Sequence, residues 1–161
     1  MVTSDERLRV QFGEPRAGWL PVELRAGDTH FAEVFSWTPY DSPGELVTWS
    51  LGLCAGAPTG AVRWNTEPTV YLFEASPLDG DRVRFDVVRL DPGPHETRRT
   101  VVFSVEESAV TIARTFWRAL RRLETWADVA TRFRGLPSSD IARLGQRLRE
   151  SRARTGQGVQ G

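Results

Sequence analysis

The residues best suited to metal binding or covalent catalysis are two histidines, His30 and His95, and one cysteine, Cys54. No His-x-x-x-His or His-Glu-x-x-His spacing occurs, and the serine-nucleophile pattern Gly-x-Ser-x-Gly is absent. Cys54 falls on the inner side of a predicted short helix, which is typical of a small buried residue. A single cysteine also excludes an internal disulfide. These residues therefore predict no catalytic residue, no bound metal and no cofactor.

Paired carboxylates are the second arrangement that could support chemistry. Glu67 and Glu74 flank one predicted strand, and Glu23 and Glu33 lie on neighbouring strands. Two carboxylates about 5–9 Å apart in a cleft would suit glycoside hydrolysis. The alternative is that each carboxylate pairs with an arginine across the strands. We favour a non-enzymatic protein and keep a small carboxylate-based hydrolase as the third candidate.

All 21 basic residues are arginine, and the chain contains no lysine. Schiff-base chemistry and a phosphate-loop lysine are therefore excluded. The glycine-rich turn at Gly56–Gly60 lacks the spacing of a phosphate or dinucleotide loop, so it is interpreted as the end of a helix.

Charge divides the chain into two halves of opposite sign. Residues 1–110 contain 10 Arg and 17 Asp and Glu, a balance of −7, and residues 111–161 contain 11 Arg and 4 acids, a balance of +7. Either the basic half packs on the acidic half, or each half presents a face to a partner.

Aromatic residues on a loop give the most specific prediction of a binding site. Trp37, Tyr40 and Asp41 fall between a predicted strand and a predicted helix, and aromatic residues are enriched at protein interfaces. Glu67, at the hinge between two predicted strands, is the fourth candidate. The sequence predicts that these four residues contact a partner. The alternative is that Trp37 and Tyr40 only cover the edge of the core.

Alternating apolar and polar residues predict seven strands joined by short turns, which is typical of an antiparallel meander. The predicted strands are Leu8–Phe12, Leu20–Leu24, Phe31–Trp37, Val62–Trp64, Val70–Phe73, Val83–Val87 and Arg99–Val105. Pro21 cannot donate to a ladder, so it is expected to place its strand, or its N–H side, at a sheet edge.

The stretch Val62–Ser76 is expected to form the central hairpin of this sheet. In that position Trp64 and either Phe73 or Tyr71 belong to the core.

Two changes of pattern predict helices. Ser42 followed by Pro43 and Glu45 has the form of a helix start, and that helix ends at Gly56. After the last strand the apolar period changes to 3.6, with Ser104 and Glu107 as a second capping box.

The amphipathic helix that follows is expected to continue an apolar face through Val129 and Phe133. A last helix has Ile141, Leu144 and Leu148 inward.

Together these elements predict one α+β domain over residues 1–161: a sheet of six or seven antiparallel strands with a short helix and a long C-terminal helical segment packed on it. The sheet-rich part is expected over 8–105, the helical part over 106–150 and a flexible tail over 151–161. The polar N-terminus and the lack of a long apolar run indicate a cytoplasmic protein without membrane contact.

The order of elements, the hairpin motif Trp-x-x-Glu-Pro-x-x-Tyr at residues 64–71 and the turn formed by Phe12-Gly13 and Gly18-Trp19-Leu20 resemble a type of small uncharacterised bacterial α+β protein. The resemblance covers roughly residues 8–124. Some proteins of this kind resemble immunity proteins of bacterial toxin systems, which bind and block a cognate toxin. The resemblance implies a protein partner and carries over no catalytic residue.

The first prediction of function is therefore a protein-binding module, most concretely an immunity-type inhibitor. The alternative is an arginine-rich nucleic-acid-binding or scaffold protein, acting through the C-terminal arginines. A homodimer is left open.

Overall fold

The computed structural model describes residues 7–36, 38–58, 60–126 and 136–157, with side chains described as far as residue 154. The strands are β1 (Arg9–Phe12), β2 (Trp19–Ala26), β3 (Thr29–Ser36), β4 (Ala61–Asn65), β5 (Val70–Pro77), β6 (Arg82–Asp91) and β7 (Arg98–Ser108). The helices are α1 (Ser42–Cys54), α2 (Ala109–Leu123) and α3 (Ser138–Gln157).

The predicted α+β meander is confirmed. All seven strands form one antiparallel sheet in the order of the sequence, from β1 to β7. The predicted central hairpin is also confirmed, because β4 is the fourth strand and pairs with β5 over its whole length. Trp64, Phe73 and Tyr71 are all buried, as expected.

The sheet bends sharply between its third and fourth strands. β3 pairs with β2 along eight positions, but among the described residues its ladder with β4 contains one position, Ser36 opposite Asn65. The sheet is therefore a unit of three strands and a unit of four that meet at one corner. Aromatic rings cross the bend inside: the Tyr71 ring centroid lies 5.5 Å from those of Phe31 and Phe35.

Helix α2 fills the inner side of the sheet. Its buried face includes Ile112 and Phe116, and Phe116 packs against Trp49 of α1 and Phe85 of β6, with ring centroids 5.7 Å and 5.5 Å away. Helix α3 packs against α1 and α2. The predicted inward residues of α3 are confirmed, since Ile141, Leu144 and Leu148 are buried.

Both helix starts differ from the prediction. Asp41, not Ser42, caps α1 and accepts from the Gly44 N–H, while the Ser42 hydroxyl donates to the carbonyl of Arg63. Asp41 takes the capping role because the Ser42 hydroxyl is already bonded to Arg63 in β4.

The cap of α2 lies four residues later than the sequence predicts. Ser104 lies within β7, which remains paired with β6 as far as Ser108, and Ser108 caps α2 through the Thr111 N–H. The sheet therefore extends past the predicted limit at residue 105.

Two other expectations need correction, and one falls outside the structure. Pro21 is not on an edge strand, since β2 pairs with β1 and β3. Its carbonyl accepts from Gly13, so its nitrogen faces the same side, just past the last residue of β1, which agrees with the other form of the prediction, an N–H side at a sheet edge. The tail expected from Ser151 is helical as far as Gln157. Val129 and Phe133 lie outside the described residues.

Gly145 lets α3 approach α2. A Cβ atom there would lie 2.9 Å from the Trp117 indole, whose N–H donates to the carbonyl of Ile141. Gly145→Ala is therefore expected to reduce the free energy of unfolding by about 1–3 kcal/mol, because the added methyl overpacks the contact. Denaturant unfolding followed by circular dichroism measures it.

The direction of the stability change distinguishes a close contact with Trp117 from an exposed helix position. In an exposed helix interior the same change would stabilise by about 0.5–1 kcal/mol. Gln146→Ala, at an exposed neighbouring position, is the control and should change stability little. A more stable Gly145→Ala variant would contradict the close contact with Trp117.

Candidate partner-binding surface

Three of the four predicted contact residues lie on loops around the bend of the sheet. Tyr40 and Asp41 follow β3, and Glu67 lies in the turn between β4 and β5. Trp37 lies outside the residues that the structure describes. The surface built by the loops at 38–41 and 66–69 is called the corner below.

Asn65 holds the two loops of the corner together. Its side chain is buried and donates to the carbonyl of Thr38 over 2.7 Å and to Glu67 Oε1 over 3.3 Å. Its Oδ1 accepts from the backbone N–H of Glu67 over 3.1 Å. Ser36, the residue opposite Asn65, has its hydroxyl 3.0 Å from that of Thr38. One buried amide therefore fixes the distance between the loops.

Glu67 is presented in an unusual backbone conformation. Its φ is +44°, in the left-handed region that non-glycine residues seldom adopt. Such strain persists only where surrounding bonds hold it. The Asn65 bond and the Thr66–Thr69 turn, closed by a 2.9 Å hydrogen bond, supply them. The exposed Glu67 side chain is thus held in one place.

Tyr40 and Asp41 are also fixed by contacts within the chain. The Arg63 guanidinium carbon lies 4.4 Å from the centroid of the Tyr40 ring, and the Glu45 carboxylate binds both the side chain and the backbone N–H of Arg63. Asp41 is committed to the helix cap. These contacts support the alternative interpretation in part, because Tyr40 covers Arg63 and is only half exposed.

The sequence prediction missed Trp19, which lies beside the corner. Trp19 is opposite Ser36 in the β2–β3 ladder and is 39% exposed, and Val34, opposite Pro21, is 45% exposed. Trp19, Pro21 and Val34 lie on the outer face of the sheet. The signal was available in β2, where Trp19 and Pro21 alternate with the buried residues Leu20 and Val22.

An acidic cleft begins on the other side of Asp41. It has a volume of about 490 Å³ and is lined by Asp41, Glu45 and Asp140, with Trp49 among the apolar residues. Glu45 is paired with Arg63, and Asp140 lies 3.6 Å from Arg143. The cleft extends the acidic character of the corner toward α3.

The paired carboxylates proposed for hydrolysis are not brought together. Glu23 lies on the outer face of β2, where it binds Arg25 and His30. Glu33 lies on the inner face of β3 and accepts from the Tyr71 hydroxyl over 3.2 Å. Glu74 forms a two-pronged ion pair with Arg99, at 2.9 Å and 3.1 Å. Glu74 thus follows the predicted arginine pairing across strands, whereas the arginine that binds Glu23 lies on the same strand.

Residues 7–36, 38–58, 60–126 and 136–157 contain no group of three or more His, Cys, Asp or Glu side chains placed to hold a metal ion. Among the same residues, no helix is both long and apolar enough to cross a membrane.

The described charged residues of the basic half form their ion pairs within that half. Each ion pair between described residues lies within one half, such as Arg121 with Glu124 or Arg99 with Glu74. Six arginines of the basic half have no ion pair among the described residues: Arg114, Arg118, Arg122, Arg149, Arg152 and Arg154. No ion pair between described residues joins the two halves.

Cys54 lies where α1 meets α3. It lines a hollow of about 560 Å³ together with Arg143, Arg147 and Arg154. Burial raises the pKa of the Cys54 thiol, and the charges of Arg114 and Arg147 oppose that rise only in part. The thiol is therefore poorly suited to act as a nucleophile at neutral pH.

Burial and the neighbouring Glu33 carboxylate raise the pKa of Tyr71. Because the pKa is higher in the folded state, the protonated hydroxyl stabilises the fold below the unfolded value near 10, and this stability is lost as pH rises above it. Tyr71→Phe is expected to lose stability less steeply than the parent between about pH 9.5 and 11. Thermal unfolding across that range tests this.

The absence of lysine sharpens this experiment, because no lysine titrates in the same interval. Tyr40→Phe is the matched control, since the Tyr40 ring lies on Arg63, whereas the Tyr71 hydroxyl donates to Glu33. Equal alkaline slopes for Tyr71→Phe and the parent would contradict the role given to Tyr71.

Comparisons with protein-family models, with curated proteins and with solved structures give no match for this chain.

Proposed function

We propose that this chain is a protein-binding module, most concretely an immunity-type inhibitor that covers a functional site of a bacterial toxin with the corner. The observation that carries the proposal is the Asn65 network. It holds an exposed carboxylate, Glu67, on a strained turn. Through Thr38 it reaches Ser36, which lies opposite the exposed Trp19. Strain of this kind is retained chiefly at functional sites.

A surface fixed before binding suits tight association. Loops that are already ordered lose little conformational entropy when a partner docks. Tyr40 and Glu67 are held by Arg63 and Asn65, so the partner does not have to order them.

The chemistry of the corner defines the partner. Glu67, Asp41 and the neighbouring acidic cleft favour a basic surface, and electrostatic complementarity speeds the encounter and excludes wrong partners. Trp19 and Val34 supply an apolar anchor, and tryptophan is among the residues that most often dominate binding energy. A basic active site with an apolar rim, as a nuclease or other toxin would present, fits both features.

The test is co-purification from the native host, followed by mass spectrometry and by an activity assay of the recovered protein. The parent chain should recover a partner and inhibit it in a one-to-one complex. Trp19→Ser and Glu67→Gln should each weaken that complex by about tenfold or more. Recovery of self-associated chains alone would contradict the proposal.

Trp126→Ser provides the matched control. Trp126 is 41% exposed and follows α2, and α2 contributes no residue to the corner. It removes an equally exposed indole and should leave the complex unchanged. If it weakens the complex as much as Trp19→Ser, the corner is not the contact surface.

The unpaired arginines favour a second candidate, binding of a nucleic acid by α2 and α3. Phosphate contacts release counterions, so affinity must fall steeply as salt rises. An electrophoretic shift series between about 50 and 200 mM salt tests this candidate, and no shift at the low end would remove it.

A further inference from the structure

At the free edge of strand β1, two residues have backbone groups without partners among the described residues. β1 is the first strand of the sheet and, of the described strands, pairs with β2 alone. The Gly13 N–H donates to Pro21 across this ladder over 2.8 Å, so alternate residues, Gln11 and Arg9, also face β2. The N–H and C=O groups of Val10 and Phe12 therefore point away from the sheet, and none of the described residues bonds to them.

A groove follows this edge. It has a volume of about 410 Å³ and wraps around the strand, since its lining includes Arg9 and Gln11 on one face and Leu8 and Val10 on the other. Helix α2 forms the opposite wall with Thr115, Arg118, Ala119 and Arg122. The edge therefore borders open space from Leu8 to Gln11.

The groove is strongly basic. Four arginines line it, Arg9, Arg25, Arg118 and Arg122, against one acid, Glu23, which already binds Arg25 and His30. Arg118 and Arg122 have no ion pair among the described residues. They are also four apart on α2, and like charges at that spacing destabilise a helix. No ion pair within the part of the chain that the structure describes offsets the charges of Arg118 and Arg122.

We propose that this edge and groove bind an extended acidic segment of a partner protein, which adds to the sheet as an eighth strand. Main-chain hydrogen bonds to Val10 and Phe12 would give affinity, and carboxylates would pair with Arg118 and Arg122. This surface is distinct from the corner, and its use does not depend on the function proposed for the corner.

Two features select this occupant over others. Unpaired strand groups recognise a peptide backbone, whereas a phosphate chain has no N–H donors to offer them. A second copy pairing through the same edge would bring like-charged grooves together, which opposes association. The partner is therefore a peptide chain of opposite charge.

The experiment measures fluorescence anisotropy of a labelled octapeptide of alternating Glu and Val. We expect saturable binding that weakens by about tenfold or more in the double variant Arg118→Gln/Arg122→Gln. The double variant Arg149→Gln/Arg152→Gln removes the same charge from α3 and should bind as the parent does. Trp19→Ser should also bind normally. In hydrogen exchange, the peptide should protect the amides of Val10 and Phe12.

Matched probes separate strand addition from charge alone. An octapeptide with N-methyl groups at alternate residues keeps the carboxylates but loses main-chain donors, and it should bind at least about tenfold more weakly. Equal binding by that peptide, or by a single-stranded DNA octamer, would overturn the proposal. So would a failure of the Glu–Val peptide to saturate at millimolar concentration.

Discussion

Replacing Trp64 by alanine is expected to reduce the free energy of unfolding by about 3–5 kcal/mol. Trp64 is 1% exposed, and its ring joins the two units of the bent sheet. Its ring centroid lies 5.0 Å from that of Phe35 in the first unit and 5.4 Å from that of Phe73 in the second. Removing the ring leaves a cavity where the units meet, and denaturant unfolding followed by circular dichroism measures the loss.

Two variants make this result specific. Trp64→Phe keeps an aromatic ring, and the buried Trp64 N–H has no hydrogen-bond partner to lose, so this variant should lose less than half as much stability. Trp126→Ala removes an exposed indole and should change stability by less than about 0.5 kcal/mol. A loss under about 1 kcal/mol for Trp64→Ala would contradict its place between the units.

The fold followed from periodicity because its strands are half buried. Leu20, Val22 and Leu24 face the helices while their neighbours face outward, so the period of two is visible in the sequence. The helix starts were less predictable, because several residues near each start could cap. Ser104 does not cap α2, because β6 pairs with β7 as far as Ser108. That pairing is not local, so the sequence around Ser104 does not indicate it.

The candidate surface was predicted in part. Asp41 and Glu67 were chosen as loop residues, and the structure brings their loops together through Asn65, for which the sequence offers no local signal. The bend that brings them together depends on the stagger between β3 and β4. Trp19 shares the outward period of Pro21 in β2, but its place beside the corner depends on its pairing with Ser36 of β3, which is not local.

The charge division has a structural counterpart. The two interpretations were mutual neutralisation or separate faces, and the ion pairs among the described residues agree with separate faces. Glu74 pairs with Arg99 within the acidic half, and Arg147 approaches Glu150 at 3.6 Å within the basic half. Arginines without ion pairs among the described residues collect on α2 and α3. We therefore expect a basic partner at the corner and an acidic partner at the β1 groove.

Asn65→Ala is expected to cost about 2–4 kcal/mol of unfolding free energy, because it removes a donor from the Thr38 carbonyl and an acceptor from the Glu67 N–H. The loss should extend beyond stability. Without the N–H bond, Glu67 has less to hold it at φ +44°, so partner binding through the corner should weaken as well. Unfolding in urea and the co-purification assay measure the two effects separately.

Asn65→Asp tests the hydrogen bonds without changing the shape of the side chain. The carboxylate still accepts from the Glu67 N–H, but it cannot donate to Thr38, and its charge faces that of Glu67. Burial and that charge should raise the pKa of the new carboxyl in the folded state, so its protonated form stabilises the fold at low pH. The stability gap from the parent should therefore narrow as pH falls from about 7 to 4. A gap that does not change with pH, or an Asn65→Ala variant within about 1 kcal/mol of the parent, would show that the corner is held by other contacts.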